Sequence, residues 1–322
     1  MKVSNGMTLN PPPKLYPASK SLSESEYIHA NDHYLIHTSD AVPAAVASLA
    51  QRHHPRQVHY QVPGLHRAIA HLLANPSLSA TGFAALALYG MKYLTDYADT
   101  YLTGPAIAKK KSATSLTPAL FRSEPKGIWQ LSYLGLVLQA APPAVALCQA
   151  LTQVRSGEVR WPIVEVPGLS AEFVRAVQLV DAARHFIKVD PIDLLRASRQ
   201  RISLPWLVDV LTASSPLAES PKETEMRLLA LDVASRFHLD LREQLLLTDA
   251  HGKPVTRFDL ALPQLKIGLM YDGAHHWEHE RRHKDTAINL ESAALGWQVL
   301  RFSSATLWVL VEKLTQIVAA KM

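Results

Sequence analysis

Two short apolar segments that each carry an aspartate place the strongest constraint on the fold of this chain. They lie within residues 257–276, RFDLALPQLKIGLMYDGAHH, and are joined by the turn-like sequence ALPQLK. Apolar runs of this length, bounded by turn residues, predict β-strands. Because strand side chains alternate between the two faces of a sheet, Asp259 shares a face with Arg257, and Asp272 shares a face with Met270. The pattern therefore predicts two neighbouring strands that present Asp259 and Asp272 together.

The segments around these strands predict an α-β-β-β-α-β-α order for the C-terminal third of the chain. Helices are predicted at 220–237, 280–295 and 304–319, and strands at 241–248, 255–262, 265–271 and 297–302. Pro221 suits the first turn of a helix, where a missing N–H costs nothing, and Gly296 is typical of the residue that follows a helix. These alternating patterns predict the α/β class.

The 322 residues exceed the length of one typical domain. A turn at Ser214, Ser215 and Pro216 predicts a boundary that separates a mostly helical α+β region, 41–215, from the C-terminal domain, 216–322. Proline-rich and polar sequence predicts an irregular lead-in over 1–40. Within the central region we expect a short buried helix at 79–91, and a buried strand at 131–138 before a helix that opens at a proline pair.

The segment 127–154 carries no charge and is long enough to span a bilayer nominally. Its central proline pair and its polar side chains argue against a span, so we expect no membrane partner. The single cysteine, Cys148, excludes an intramolecular disulfide and favours a reducing compartment, and we predict a cytoplasmic protein. The 33 Lys and Arg against 28 Asp and Glu permit contact with nucleic acid without requiring it.

A histidine- and arginine-rich stretch over 40–75 raises the question of a metal site. His53 and His54 are adjacent, and His66 and His71 are five residues apart. Neither spacing matches the i, i+4 pairing that places two ligands on one helix face. The stretch therefore predicts a polar, weakly basic surface.

The acidic residues near the predicted strands are candidates for catalysis. Hydrolysis of a phosphodiester at neutral pH needs a hard divalent cation, and carboxylates are suitable ligands for Mg²⁺. We predict Asp259 and Asp272 as metal ligands, with Glu223 from the preceding helix as a further acid, for which Glu225 is the alternative. His276, four residues beyond Asp272, is the candidate general base for the attacking water.

Structural roles for both aspartates stay open at this point. Asp272 precedes Gly273, and an Asp-Gly pair at a strand end is also a common turn. Asp259 lies inside an apolar strand and could pair with Arg257 or Arg301 instead of a metal.

Five segments together resemble a known family. They are SPKETEMR (220–227), RFDLALP around Asp259, YDGAHH (271–276), Asp285, and GWQVLRF (296–302). The C-terminal part resembles the Vsr-like (very-short-patch-repair-like) branch of the PD-(D/E)XK, restriction-endonuclease-like superfamily, in a form common in actinobacteria whose upstream region resembles AbiEi-type antitoxins.

This resemblance implies a restriction-endonuclease-like αβββαβα core and a Mg²⁺-dependent endonuclease that acts on DNA. It implies Asp259 as the first metal carboxylate, Glu223 as the helix acid, Asp272 as the second strand acid and His276 as the trailing histidine.

Two positions depart from the family pattern. Met270 stands where a glutamate is usual, and a thioether is a poor ligand for Mg²⁺. Asn289 stands where a basic residue is usual. Two hypotheses follow: a metal-dependent DNA endonuclease, or a catalytically degenerate nuclease fold that acts as a DNA-binding or antitoxin-like regulatory module.

Overall fold

The computed structural model describes residues 2–8, 12–19, 23, 25–105, 107, 109, 111–122, 127–273 and 279–322. The chain forms two structural units, one of residues 1–162 and 175–214, the other of residues 163–174 and 215–322. The division between Ser214 and Ser215 falls at the predicted boundary. The segment 163–174, which the sequence places in the upstream region, belongs to the second unit.

The first unit contains two sheets within the described residues. Its strands are β1 (Lys2–Thr8), β2 (Tyr16–Pro17), β3 (Tyr27–His29), β4 (Tyr34–His37), β5 (Ser79–Ala80), β6 (Tyr101–Gly104), β7 (Ala119–Arg122), β8 (Trp129–Tyr133) and β9 (Leu136–Ala140). Six of them form a sheet in the order β1-β8-β9-β5-β6-β7, and the other three form a sheet in the order β2-β4-β3.

The prediction of an irregular lead-in over 1–40 is wrong, because four strands lie there. β1 pairs in parallel with β8, more than a hundred residues away, and β2 and β3 both pair with β4. β2, β3 and β4 have two to four residues, too few for a periodicity that a sequence pattern can detect, and β1 has seven. They form because a partner strand satisfies their backbone groups.

The segment 131–138 forms a hairpin and not the single predicted strand. β8 and β9 are antiparallel, and Leu134 and Gly135 connect them with φ angles of +47° and +82°. Two consecutive residues with positive φ are typical of the tight turn that suits the twist of a β-hairpin. Leucine is rare in that conformation, so the sequence carries no turn signal there.

Within the described residues these strands are accompanied by α1 (Ala44–His53), α2 (Gly64–Ala74), α3 (Gly82–Leu88), α4 (Pro143–Arg155), α6 (Pro191–Ala197) and α7 (Leu204–Ala213). α5 (Ala171–Ala182) begins in the segment of the second unit and continues in the first. All seven residues of α3 are buried, and α3 packs against α2 and α4. The buried helix predicted there and the helix predicted at the proline pair are both confirmed.

The prediction that 40–75 forms a polar surface is wrong for its central residues. His54, Arg67 and His71 are 5%, 1% and 4% exposed. The guanidinium of Arg67 donates to the carbonyl oxygens of Val62 and Ala98, both at 3.0 Å, and its Cζ lies 3.7 Å from the centre of the Tyr60 ring. A buried cation is tolerated because these acceptors replace water, and they come from residues that sequence spacing cannot identify.

Asp99, which is buried, interacts with three further side chains of the stretch 40–75. Asp99 Oδ1 accepts hydrogen bonds from His54 Nε2 at 2.9 Å and from the hydroxyl of Tyr60 at 2.5 Å, and Arg56 forms an ion pair with Oδ2. Burial opposes ionisation of Asp99, but the hydrogen bonds from His54 and Tyr60 outweigh it and lower the pKa of the carboxyl. We call Asp99, His54, Tyr60 and Arg56 the Asp99 network.

The second unit contains α8 (Pro221–Arg236), β10 (Arg242–Thr248), β11 (Pro254–Leu262), β12 (Ile267–Tyr271), α9 (His279–Ala294), β13 (Gln298–Phe302) and α10 (Leu310–Lys321). These elements follow the predicted α-β-β-β-α-β-α order, and the α/β class is confirmed. The sheet has the order β10-β11-β12-β13, antiparallel except for the parallel pair of β12 and β13. A parallel pair needs a crossover, and α9 provides it.

The helices of the second unit cover its sheet. α8 packs against α10, β11 and β12, while α9 contacts β11 and β13. Among the described residues, every helix is too short or too polar to cross a membrane.

Candidate functional site

Asp259 lies where regular strand pairing stops. The β11–β12 ladder runs from Leu262 to Leu260, and at the next position the Asp259 Oδ2 atom accepts a hydrogen bond from the Tyr271 backbone N–H at 2.7 Å. On the other side of β11, Gln244 is the β10 residue opposite Asp259, and it has a φ of +51°. The β10 backbone is therefore distorted at Gln244, and the Asp259 carboxylate accepts the hydrogen bond of the Tyr271 N–H.

Asp272 follows the end of β12 and is held by β13. Its backbone N–H donates to the Phe302 carbonyl oxygen at 2.7 Å, and its Oδ1 atom accepts from Arg301 Nη1 at 2.9 Å. Arg301 pairs in register with Met270 across the parallel strands. Arg301, named from the sequence as a pairing partner for Asp259, forms an ion pair with Asp272, and its charge also acts on Asp259.

Glu223 forms the capping box of α8. The Ser220 hydroxyl accepts from the Glu223 backbone N–H at 3.3 Å and donates to Glu223 Oε1 at 2.9 Å, while Glu223 Oε2 accepts from the Glu219 N–H at 2.9 Å. The Ser-x-x-Glu sequence predicts this arrangement, since it satisfies donors that a helix start leaves free. Glu223 thus has a structural role at the start of α8.

The charges of Asp259 and Glu223 interact, and so do those of Asp259 and Asp272. Burial raises the pKa of Glu223 to about 7, and the charge of Asp259 adds to the shift. Burial also raises the pKa of Asp259 to about 6; the Tyr271 N–H and Arg301 lower it, and the charges of Glu219 and Asp272 raise it. Glu223 and Asp272 are therefore both linked to Asp259, and their joint role as a metal site stays a prediction. We call these three residues the acidic cluster.

The Met270 side chain packs against an apolar cluster. The core of that cluster is Leu247, Phe258 and Ala261, and its other partly buried members are Leu245, Val255, Leu295, Trp297 and Val299. The Met270 side chain packs well among apolar neighbours because its thioether chain is flexible and apolar. A glutamate at position 270 would need a polar partner that these neighbours do not offer.

Glu225, the alternative helix acid, has a different place in the unit. Its side chain is fully buried, and its two carboxylate oxygens accept from Lys222 Nζ at 3.0 and 2.7 Å. Its Oε2 atom also accepts from the Val164 N–H at 3.3 Å, which ties the segment 163–174 to the start of α8. The charge of Glu225, together with burial, raises the pKa of the Tyr271 phenol, so Tyr271 also lies close to these acids.

His276, the predicted general base, lies outside the described residues, as does the whole segment 274–278. Tyr271 is a further neighbour of the acids and was not predicted as a site residue. Its position beside Asp272 in the sequence is the one feature that points to a place in the site.

No known protein family, curated protein or solved structure matches the chain. What the acidic cluster can do chemically therefore follows from its own geometry.

The described residues fit a Mg²⁺ centre poorly. Mg²⁺ requires oxygen ligands in near-octahedral order. Among the residues whose side chains are described, no group of three or more His, Cys, Asp or Glu side chains is placed to hold a metal ion. Asp272 is paired with Arg301, Glu223 caps a helix, and Met270 packs in the apolar cluster. The guanidinium of Arg301 balances the charge of Asp272.

The raised pKa of Asp259 predicts a specific pH dependence of stability. Its ordinary value is 3.8 and its value in the folded protein about 6, so between about pH 4 and pH 6 the folded protein keeps a proton that the unfolded chain releases. Raising the pH through this window therefore lowers the free energy of unfolding, by about 3 kcal/mol for about two pKa units.

Urea unfolding of wild type and of Asp259→Asn across this window checks the prediction. The stability of wild type relative to the variant should fall as the pH rises, because asparagine does not titrate. A stability difference that stays constant or rises with pH would show that the pKa of Asp259 is not raised in the folded protein.

Proposed function

We propose that this protein binds DNA through a nuclease-like fold that no longer hydrolyses it. The order of elements in the second unit and the acidic cluster at Glu223, Asp259 and Asp272 support a restriction-endonuclease-like core. The observation that carries the loss of cleavage is the pairing of Asp272 with Arg301 beside a Met270 that packs among apolar side chains. In this proposal the protein is cytoplasmic, and the upstream half resembles an AbiEi-type antitoxin and serves a regulatory role.

Binding is expected to depend on phosphate contacts. The net charge of +5 favours association with a polyanion, and such contacts release counterions. Fluorescence anisotropy with a labelled duplex measures the affinity. If two phosphates are neutralised, the affinity should fall about ten-fold between about 50 and about 200 mM salt. Absence of binding, or an affinity that salt does not change, would refute DNA binding.

Active cleavage is the second candidate, and the acidic cluster itself favours it. A divalent cation that displaced Arg301 from Asp272 would relieve the repulsion among three acids that share one site. The cation would then supply charge neutralisation and an activated water.

Plasmid nicking separates the two candidates. We expect wild-type protein with Mg²⁺ or Mn²⁺ to leave supercoiled plasmid intact, at the same background as Asp259→Ala. Met270→Glu, checked for folding by circular dichroism, restores the carboxylate of the family pattern, and cleavage by this variant alone would support the degenerate state. Nicking by wild type that Asp259→Ala abolishes would replace the proposal with a metal-dependent endonuclease.

A further inference from the structure

A separate cavity lies in the first unit, between α4, the start of α3 and β7. It has a volume of about 360 Å³. Its lining residues are Thr81, Phe121, Gln149, Thr152, Gln153 and Arg201. The volume is at the lower end of the range of small-molecule sites, which is enough for a mononucleotide but small for a larger cofactor.

Two glutamine amides meet at Gly82 beside this cavity. Gln149 Oε1 accepts the Gly82 backbone N–H at 3.0 Å. Gly82 has a φ of +53°, and a Cβ atom there would come within 2.9 Å of Gln153 Oε1. Glycine at this position therefore leaves the space that the Gln153 amide occupies.

Gln153 Oε1 is a buried acceptor without a hydrogen-bond partner among the described residues. Buried polar atoms nearly always have a partner, so an orphaned acceptor needs an explanation. Oε1 faces Gly82 and is closed to solvent, so a ligand donor reaches it when the Gln153 amide turns toward the cavity, and the amide nitrogen can then donate back. An amide of this kind pairs well with the edge of a base that carries an amino group beside a ring nitrogen.

The rest of the lining suits a nucleotide as well. Phe121 is half-buried and presents an aromatic ring, and aromatic rings stack on bases. Arg201 is exposed and forms no ion pair with an acid in the described part of the chain. A guanidinium that lacks a carboxylate partner is suited to bind phosphate.

We propose that this cavity binds a nucleoside monophosphate whose base carries an exocyclic amino group. The amino group donates to Gln153 Oε1, the base stacks on Phe121, and the phosphate binds Arg201. The same chemistry is offered by a free nucleotide and by a nucleotide at the end of a single strand. The cavity belongs to the first unit and the acidic cluster to the second, so the proposal does not depend on DNA binding by the second unit.

Isothermal titration with AMP tests the site. We expect saturable binding of AMP, and at least ten-fold weaker binding of IMP, in which an oxygen replaces the amino group, and of inorganic phosphate. Gln153→Leu, which keeps the bulk of the side chain but removes the amide, should weaken AMP binding at least ten-fold.

Two arginine variants provide a matched comparison. Arg201→Gln should weaken AMP binding about ten-fold while leaving the weaker binding of adenosine unchanged. Arg199→Gln removes a neighbouring exposed arginine that lines a different cavity, and it should leave AMP binding unchanged. Circular dichroism confirms that each variant is folded. No AMP binding by folded wild-type protein, or equal effects of the Arg201 and Arg199 variants, would overturn the proposal.

Competition distinguishes the two sources of the nucleotide. A short single-stranded oligonucleotide with a terminal 5′-phosphoadenosine that displaces AMP would assign the site to strand ends, and failure to displace it would assign the site to free nucleotide. Duplex binding by Arg201→Gln should equal that of wild type. The failure of this proposal is thereby separable from the failure of the proposed function.

Discussion

Replacement of Asp99 by alanine is expected to lower the free energy of unfolding by about 4 kcal/mol, the cost of breaking a buried charged pair. Asp99 is 7% exposed and accepts from His54 and Tyr60 while pairing with Arg56. Alanine would leave the imidazole and the phenol buried with no acceptor, and unsatisfied buried groups pay the full cost of lost hydration.

Urea unfolding monitored by circular dichroism measures this effect. Asp193→Ala is the matched control in the same unit, because Asp193 forms an exposed ion pair with Arg196 at 3.1 Å. Exposed pairs contribute about 1 kcal/mol or less. If the Asp99 and Asp193 variants lost the same stability, the Asp99 network would not contribute to the core of the first unit.

Replacement of Glu225 by alanine is expected to lower the free energy of unfolding by about 3 kcal/mol. Its side chain is fully buried, and it accepts from both Lys222 and the Val164 N–H. The variant would release the segment 163–174 from α8 as well as leave the ammonium of Lys222 without its carboxylate. Glu225→Gln, which keeps an oxygen for Val164 but not the charge, should lose less.

Unfolding by urea and amide hydrogen exchange together check this result. Faster exchange at the Val164 amide should accompany the loss of stability in Glu225→Ala. Asp232→Ala removes an ion pair with Arg236 on the exposed side of the same helix, and it should cost about 1 kcal/mol or less. Unchanged exchange at Val164 would mean that Glu225 does not hold this segment.

Features set by neighbouring residues were predictable from the sequence. The capping box of Ser220 and Glu223 is one example, because a serine followed three residues later by a glutamate is a favoured helix start. The strand that carries Asp259 and the strand that ends just before Asp272 are another, since short apolar runs bounded by turn residues predict strands. The order of elements in the second unit follows from such local signals.

Features set by distant residues were not predictable. Arg67 is buried because Ala98 and Tyr60 surround it, and β1 forms because β8 pairs with it. The sequence suggests surface for the first and irregular structure for the second, because an isolated arginine prefers water and a short strand lacks a partner. Tertiary pairing reverses both preferences by supplying acceptors that water would otherwise provide.

The acidic cluster shows both kinds of determination. The sequence by itself determined that acids would lie on two neighbouring strands and at the start of the preceding helix, and that Met270 would interrupt them. Only the tertiary structure decided that Arg301 binds Asp272 and that Met270 packs against Phe258 and its neighbours. The physical reason is that charge balance in a buried site depends on which side chains meet across the sheet. That meeting is fixed by strand register and packing, and neither is encoded within one short segment.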